Sequence, residues 1–136
     1  MKGSLVACDT SVLVSALRPD FPQHRECQAQ LPRLSALIAH TLLETFRVMT
    51  STQHPSMVDP GTVVEVLGRF DLPVLQLPPS EYLPLLARFA ENGRVGGGIY
   101  DAQIAGTAQH HGLTLLSRDR RATAVYDLVG VDYELV

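Results

Sequence analysis

Short apolar runs alternate with helically spaced segments along this chain, and turn residues or single acids punctuate them. Residues 4–8, with LVAC at their centre, predict a short, fully buried strand. TSVLVSAL, residues 10–17, predicts a helix with Asp9 at its entrance, broken by Arg18-Pro19-Asp20-Phe21-Pro22. His24 to Gln30 predicts a short polar helix, and Leu34 to Met49 a strand that passes into a helix around Thr41–Met49. Thr50 to Pro60 is rich in Ser, Thr and Pro and predicts a loop. Val63, Val64, Leu67 and Phe70 recur at helical spacing within Gly61–Phe70, whereas proline-flanked Leu72–Leu77 is a short strand at best. Ser80–Glu91 predicts a helix with Ser80 as its N-cap, and Gly96-Gly97-Gly98 a flexible turn. Ile99–His111 predicts a helix stopped by Gly112, Leu113–Ser117 a second buried strand, Arg121–Leu128 a helix and Val131–Val136 a final strand. Such alternation implies an α/β fold: a three-layer sandwich with a mostly parallel sheet covered by helices on both faces.

With 136 residues, the chain predicts a single domain spanning 1–136. Apolar residues make up 46% and charged residues 18%, which describes a globular rather than a disordered protein. No apolar run approaches the length of a membrane span, and MKGSLVACD turns acidic too soon for a secretory signal. Cys8 and Cys27 form neither a CxxC pair nor a zinc pattern, so reduced thiols in a cytoplasm are expected. Ten of the eleven basic residues are Arg, and Lys2 is the only lysine. That excludes a P-loop, which needs GxxxxGK[ST], and a phospho-receiver domain, which needs a late lysine. A net charge of -3 does not by itself announce a nucleic-acid binder.

Four acids stand apart from this background. Asp9 is the only acid before Asp20, Glu44 the only one between Glu26 and Asp59, and Asp101 and Asp119 the only two between Glu91 and Asp127. Each lies in or beside an apolar segment, where an acid normally needs a partner. Ligands in open parallel sheets bind beyond the carboxyl ends of the strands, and all four acids could point into one such cleft. Hard divalent cations take oxygen ligands, so a metal site is the common explanation. Two carboxylates ~5 Å apart repel by roughly 3 kcal/mol at an effective dielectric near 20, and a bound cation reverses that field.

At these residues the chain resembles a family. DTSVLV at Asp9, LLETF at Glu44 and GIYDAQIAGTAQHHGLTLLSRDRR around Asp101 and Asp119 look like a PIN domain, and the length and layout look like a VapC-type toxin. The resemblance implies a Mg²⁺-dependent endoribonuclease, with Mn²⁺ as an alternative ion, that is the toxin of a toxin–antitoxin pair. It further implies that Asp9, Glu44 and Asp101 are metal ligands and catalytic residues. Asp119 then completes that ion or holds a second one. Thr10 and Ser117 are hydroxyls suited to hold carboxylates or the attacking water. An antitoxin partner and a homodimer are also expected, and the Leu-, Phe- and Val-rich helices TLLETFRVM and EYLPLLARFA are the candidate contact faces.

RNA contact needs a local basic patch, and Arg118, Arg120, Arg121 and Arg94 are its candidates. With no Trp and 6% aromatic residues, extensive base stacking is not expected, and Tyr100 is the aromatic best placed for it. Plainer readings stand beside these. Asp9 also suits an N-cap, Glu44 a solvated helix position paired with Arg47, Asp101 a first-turn acid, and Asp119 a turn residue paired with Arg118 or Arg120. His110 and His111 suit a helix C-terminus better than a ligand site, and Cys8 a small buried hydrophobe. Two other functions fit the same residues: a PIN-like nuclease in RNA processing or DNA-flap cleavage, and a non-catalytic binding module on the same fold.

Overall fold

A computed structural model describes residues 5–51 and 57–136. Five short strands form β1 (Val6–Cys8), β2 (Leu37–Ile38), β3 (Val74–Leu75), β4 (Thr114–Ser117) and β5 (Tyr133–Leu135). Seven helices are described: α1 (Thr10–Leu17), α2 (His24–Gln28), α3 (Ala39–Met49), α4 (Pro60–Gly68), α5 (Tyr82–Glu91), α6 (Gly98–His110) and α7 (Thr123–Val129). β4 pairs in parallel with both β1 and β5, and β2 pairs in parallel with β3. Ser35 seats β2 beside β1. Its N–H donates to the Val6 carbonyl at 2.7 Å, and its Oγ accepts from the Val6 N–H at 3.0 Å.

The period-two rule of strands divides the core into two layers. Val6, Cys8, Leu37 and Leu116 point to one face and pack with Val12, Leu13, Ala16, Cys27 and Leu34. Ala7, Ile38 and Leu115 point to the other and pack with Phe89, Ile104, Val125 and Val129. With both faces buried, the strands read as continuous apolar runs, as parallel sheets require. α6 lies between α5, α7 and the sheet, which explains its small residues: Ala102, Ala105, Gly106 and Ala108 are buried along with Ile104. At Gly98 an added Cβ would stand 3.3 Å from Phe89 Cζ, so a side chain there would press on the ring that seats the helix.

α1 matches its predicted span at both ends. Its last cap residue, Arg18, is extended because Pro19 disfavours helical backbone before it. Elsewhere the boundaries moved. Ser80 is not an N-cap: it sits inside a 3-10 turn, Pro79–Glu81, and α5 begins at Tyr82 without a side-chain cap. Pro60 is not loop but the first residue of α4, where its missing N–H is harmless and Asp59 accepts from the Thr62 N–H. A 3-10 turn at Arg120–Ala122 precedes α7, and the polar helix after Phe21 ends at Gln28. Gly98, expected in a turn, opens α6, while Gly112 takes the left-handed φ of 71° that ends it. Parts of the predicted first strand (Ser4) and of the Thr50–Pro60 loop (52–56) lie outside the described residues. No helix among the described residues is long and apolar enough to cross a membrane.

Candidate active site

Asp9 directly follows β1 and Asp119 follows β4 by two residues, and these strands are neighbours with Cys8 opposite Leu116. The two acids therefore leave the sheet at one edge. The Asp9 N–H closes that edge by donating to the Leu116 carbonyl at 3.0 Å. Asp9 is 3% exposed, and its carboxylate is held at both oxygens. Oδ1 accepts from Ser11 Oγ at 2.5 Å and from the Val12 N–H at 3.2 Å, which caps α1, while Oδ2 accepts from the Tyr126 hydroxyl at 2.6 Å. Burial pushes the Asp9 pKa above the usual carboxylate range, against the hydrogen bonds from Ser11, Ser117, Tyr126 and Val12. One oxygen of Asp9 thus caps α1 while the other meets Tyr126.

Ser117 is fully buried at the end of β4, and its Oγ accepts from the Asp119 N–H at 3.0 Å. Ser11 ties the same edge together, because its Oγ also accepts from the Arg118 N–H at 2.9 Å. Asp119 turns its Oδ1 to the Arg121 N–H at 3.0 Å, and the Arg121 guanidinium stands 3.6 Å away. The pairing is with Arg121 rather than with Arg118 or Arg120. Glu44, on α3, accepts from Thr10 Oγ1 at 2.7 Å, which brings α3 to the entrance of α1. Its other oxygen is 3.7 Å from His40 Nε2, one helical turn earlier. His40 rather than Arg47 is therefore the neighbour that Glu44 engages.

Asp101, in the first turn of α6, joins the set electrostatically. Its carboxyl is pushed up to about 6, first by burial and then by the charges of Asp119, Glu44 and Asp9, with Arg121 opposing. Burial and the charges of Asp119, Glu44 and Asp9 all disfavour the ionised form of this one carboxyl. Among the described residues, no three His, Cys, Asp or Glu side chains stand close enough together to hold a metal ion as placed. The donors are nevertheless all carboxylate oxygens, backed by hydroxyls. That chemistry fits Mg²⁺ or Mn²⁺ and not the softer ions that need thiolate or imidazole.

The basic candidates separate. Arg121 is 95% exposed beside Asp119, and Arg120 is exposed next to it. Arg118 is turned elsewhere: its guanidinium donates to the Val136 carbonyl at 2.5 Å. Arg94 is exposed beyond α5, and among the described residues no ion pair joins it to the acids. His110 and His111 end α6, where His111 Nε2 lies 3.1 Å from the Gln76 carbonyl. Tyr126, Ser11 and His40 were not singled out from the sequence. The first two look like core and helix residues there, but His40 carried a usable signal, four residues before Glu44 on one helix face.

Comparison with known proteins identifies the family. Residues 6–128 match the PIN domain model. The chain is 35% identical over 133 residues to ribonuclease VapC40 of Mycobacterium tuberculosis, covering 97% of this chain and 99% of the relative. It is also 35% identical over 130 residues to ribonuclease VapC27 of that organism, covering 93% of each. DNA-bound VapBC from Salmonella typhimurium superposes with a TM-score of 0.68 at 21% identity, over 99% of this chain and 98% of that one. FitAcB from Neisseria gonorrhoeae superposes at 0.66 and 21% identity, over 95% and 96%. At such identities the superpositions speak for the fold. The family match and the two relatives that cover nearly the whole chain together place it in the PIN-domain family.

Proposed function

We propose that this protein is a metal-dependent endoribonuclease that hydrolyses RNA phosphodiester bonds as the toxin of a toxin–antitoxin pair. The observation that carries the reading is the sheet edge where Asp9 and Asp119 leave neighbouring strands, with Glu44 tied to the entrance of α1 through Thr10. Four acids in one field at a sheet edge suit a divalent cation, and the relatives over nearly the whole chain are named ribonucleases. Asp9, Glu44 and Asp101 would hold the ion, with Asp119 completing its shell or a second one's. When bound, such an ion lowers the pKa of water and neutralises charge on the scissile phosphate.

The chain's own residues supply orientation. Ser11 and Tyr126 hold Asp9 in one rotamer, and Thr10 holds Glu44. Ser117 fixes the Asp119 backbone. Arg120 and Arg121, exposed beside Asp119, grip substrate phosphates. An antitoxin guanidinium entering the acid cluster would pair with these carboxylates and silence the enzyme, a reading supported by neighbours solved as VapBC and FitAB complexes. A homodimer acting in the cytoplasm completes the reading.

Purified protein is to be incubated with bulk RNA in Mg²⁺, with Asp9→Asn and Asp101→Asn alongside and cleaved ends mapped. Cleavage that stops in EDTA and in both variants supports the proposal. Cleavage that persists in both variants sinks it. Growth arrest relieved by a co-expressed antitoxin separates a toxin from an RNA-processing or flap-cleaving nuclease.

A further inference from the structure

The surface between α3 and α6, next to the acids, has no role in the reading above. His40, in the first turn of α3, and Tyr100, in the first turn of α6, stack with ring centroids 5.1 Å apart and planes 4° from parallel. The His40 side chain is 16% exposed, whereas Tyr100 is 52% exposed. The tyrosine therefore lies against the imidazole while about half of its surface stays open to solvent. Beside the pair lies an open groove of about 440 Å³ lined by His40, Leu43, Glu44, Arg47 and Tyr100, a size in the range of small-ligand sites. Glu44 is one of the four acids, and Tyr100 adjoins Asp101 in sequence, so the groove opens beside the cluster.

The geometry points to a nucleobase subsite: an unpaired base of the RNA, flanking the scissile phosphate, stacks on the open face of Tyr100, and Arg47 meets a neighbouring phosphate. The inference rests on the ribonuclease reading and assigns the residues that receive one base of its substrate. Every base has a flat face that an aromatic ring can receive. The half-buried imidazole beside Tyr100 holds the platform in place, so little ordering is lost on binding. Exposed Leu43 extends the apolar floor, and Arg47 supplies a cation within an acidic surround. A base locked in a duplex cannot reach such a platform, which makes the site a filter for unpaired nucleotides.

Fluorescein-labelled short oligo-A and oligo-U single strands, and a duplex of the same length, are to be titrated by anisotropy in calcium buffer. Tyr100→Ala and Tyr100→Phe are compared with the wild type, and cleavage kinetics are run in Mg²⁺. Tyr100→Ala should weaken single-strand binding and raise KM about tenfold, the change one stacked base supplies, with kcat within about twofold. Tyr100→Phe should match the wild type, and duplex binding should be weak and indifferent to either change. If wild-type protein cuts RNA while Tyr100→Ala binds and cuts equally well, the subsite fails and the ribonuclease reading stands. If wild-type protein neither binds nor cuts RNA, both fail. A Tyr100→Ala protein altered only in self-association or antitoxin binding also overturns the subsite, and marks the groove as a protein interface.

Discussion

Neutralising Asp101 should stabilise the metal-free protein. The unfolded chain ionises this carboxyl near a pKa of about 3.9, whereas the folded protein does so at about 6. Between those values the folded state holds more protons than the unfolded state, so stability falls as pH rises and the loss is complete above the folded midpoint. A difference of about two pKa units sets a ceiling of ~3 kcal/mol. The side chain is only partly buried, and screening by solvent brings the expected effect to about 1 kcal/mol. Asp101→Asn should therefore be more stable than the wild type by about 1 kcal/mol at pH 7.5 in EDTA, a Tm gain of about 3 °C for a domain of this size. At pH 4 the advantage should shrink towards zero. Millimolar Mn²⁺ should reverse the ranking at pH 7.5, because the wild type gains a ligand interaction that the amide cannot match. Urea and thermal unfolding at both pH values, with EDTA or Mn²⁺, measure all of this. An Asn variant no more stable than the wild type at pH 7.5 in EDTA would refute the claim that the four acids share one field, as would an advantage independent of pH.

Tyr126→Phe keeps the buried ring but removes the hydroxyl that Asp9 Oδ2 accepts; the Mn²⁺ concentration needed for half-maximal thermal stabilisation should rise about tenfold, and an unchanged midpoint would remove Tyr126 from the site. Ala105→Leu forces a larger side chain into the fully buried face of α6 and should lower stability by about 2 kcal/mol in urea unfolding, with wild-type stability arguing against the packing described. Gly112→Ala places a Cβ on a backbone with φ 71° and should lower stability by about 1 kcal/mol, whereas Gly97→Ala, at an ordinary negative φ, should not.

Much of this arrangement was legible because acids ended apolar runs. SLVACD and LTLLSRD each name a buried strand and the acid beyond it, and parallel pairing of β1 with β4 brings those acids to one edge. α1 was legible at both ends, since Asp9 caps it and Pro19 stops it. β2 and β3 were harder, being two residues each and held by neighbours rather than by their own pattern. Tyr126 and Ser11 were invisible as partners of Asp9 for a related reason. A tyrosine in TAVYDLV and a serine in DTSVLV satisfy a helix pattern whatever their hydroxyls touch, and their partners lie across the fold. Arg118 looked like part of a basic patch beside Asp119, yet its partner is the last carbonyl of the chain, which local sequence does not encode.

The bond between Tyr126 and Asp9 joins residues 117 positions apart, and β4, which β1 needs as a neighbour, is also late in the chain. A ribosome releases the amino-terminal residues first, so Asp9 emerges long before the tyrosine and the strand that hold it. The growing polypeptide thus cannot hold Asp9 in place until β4 and Tyr126 have emerged. A partly made copy that stops before that segment therefore lacks the neighbours that hold Asp9.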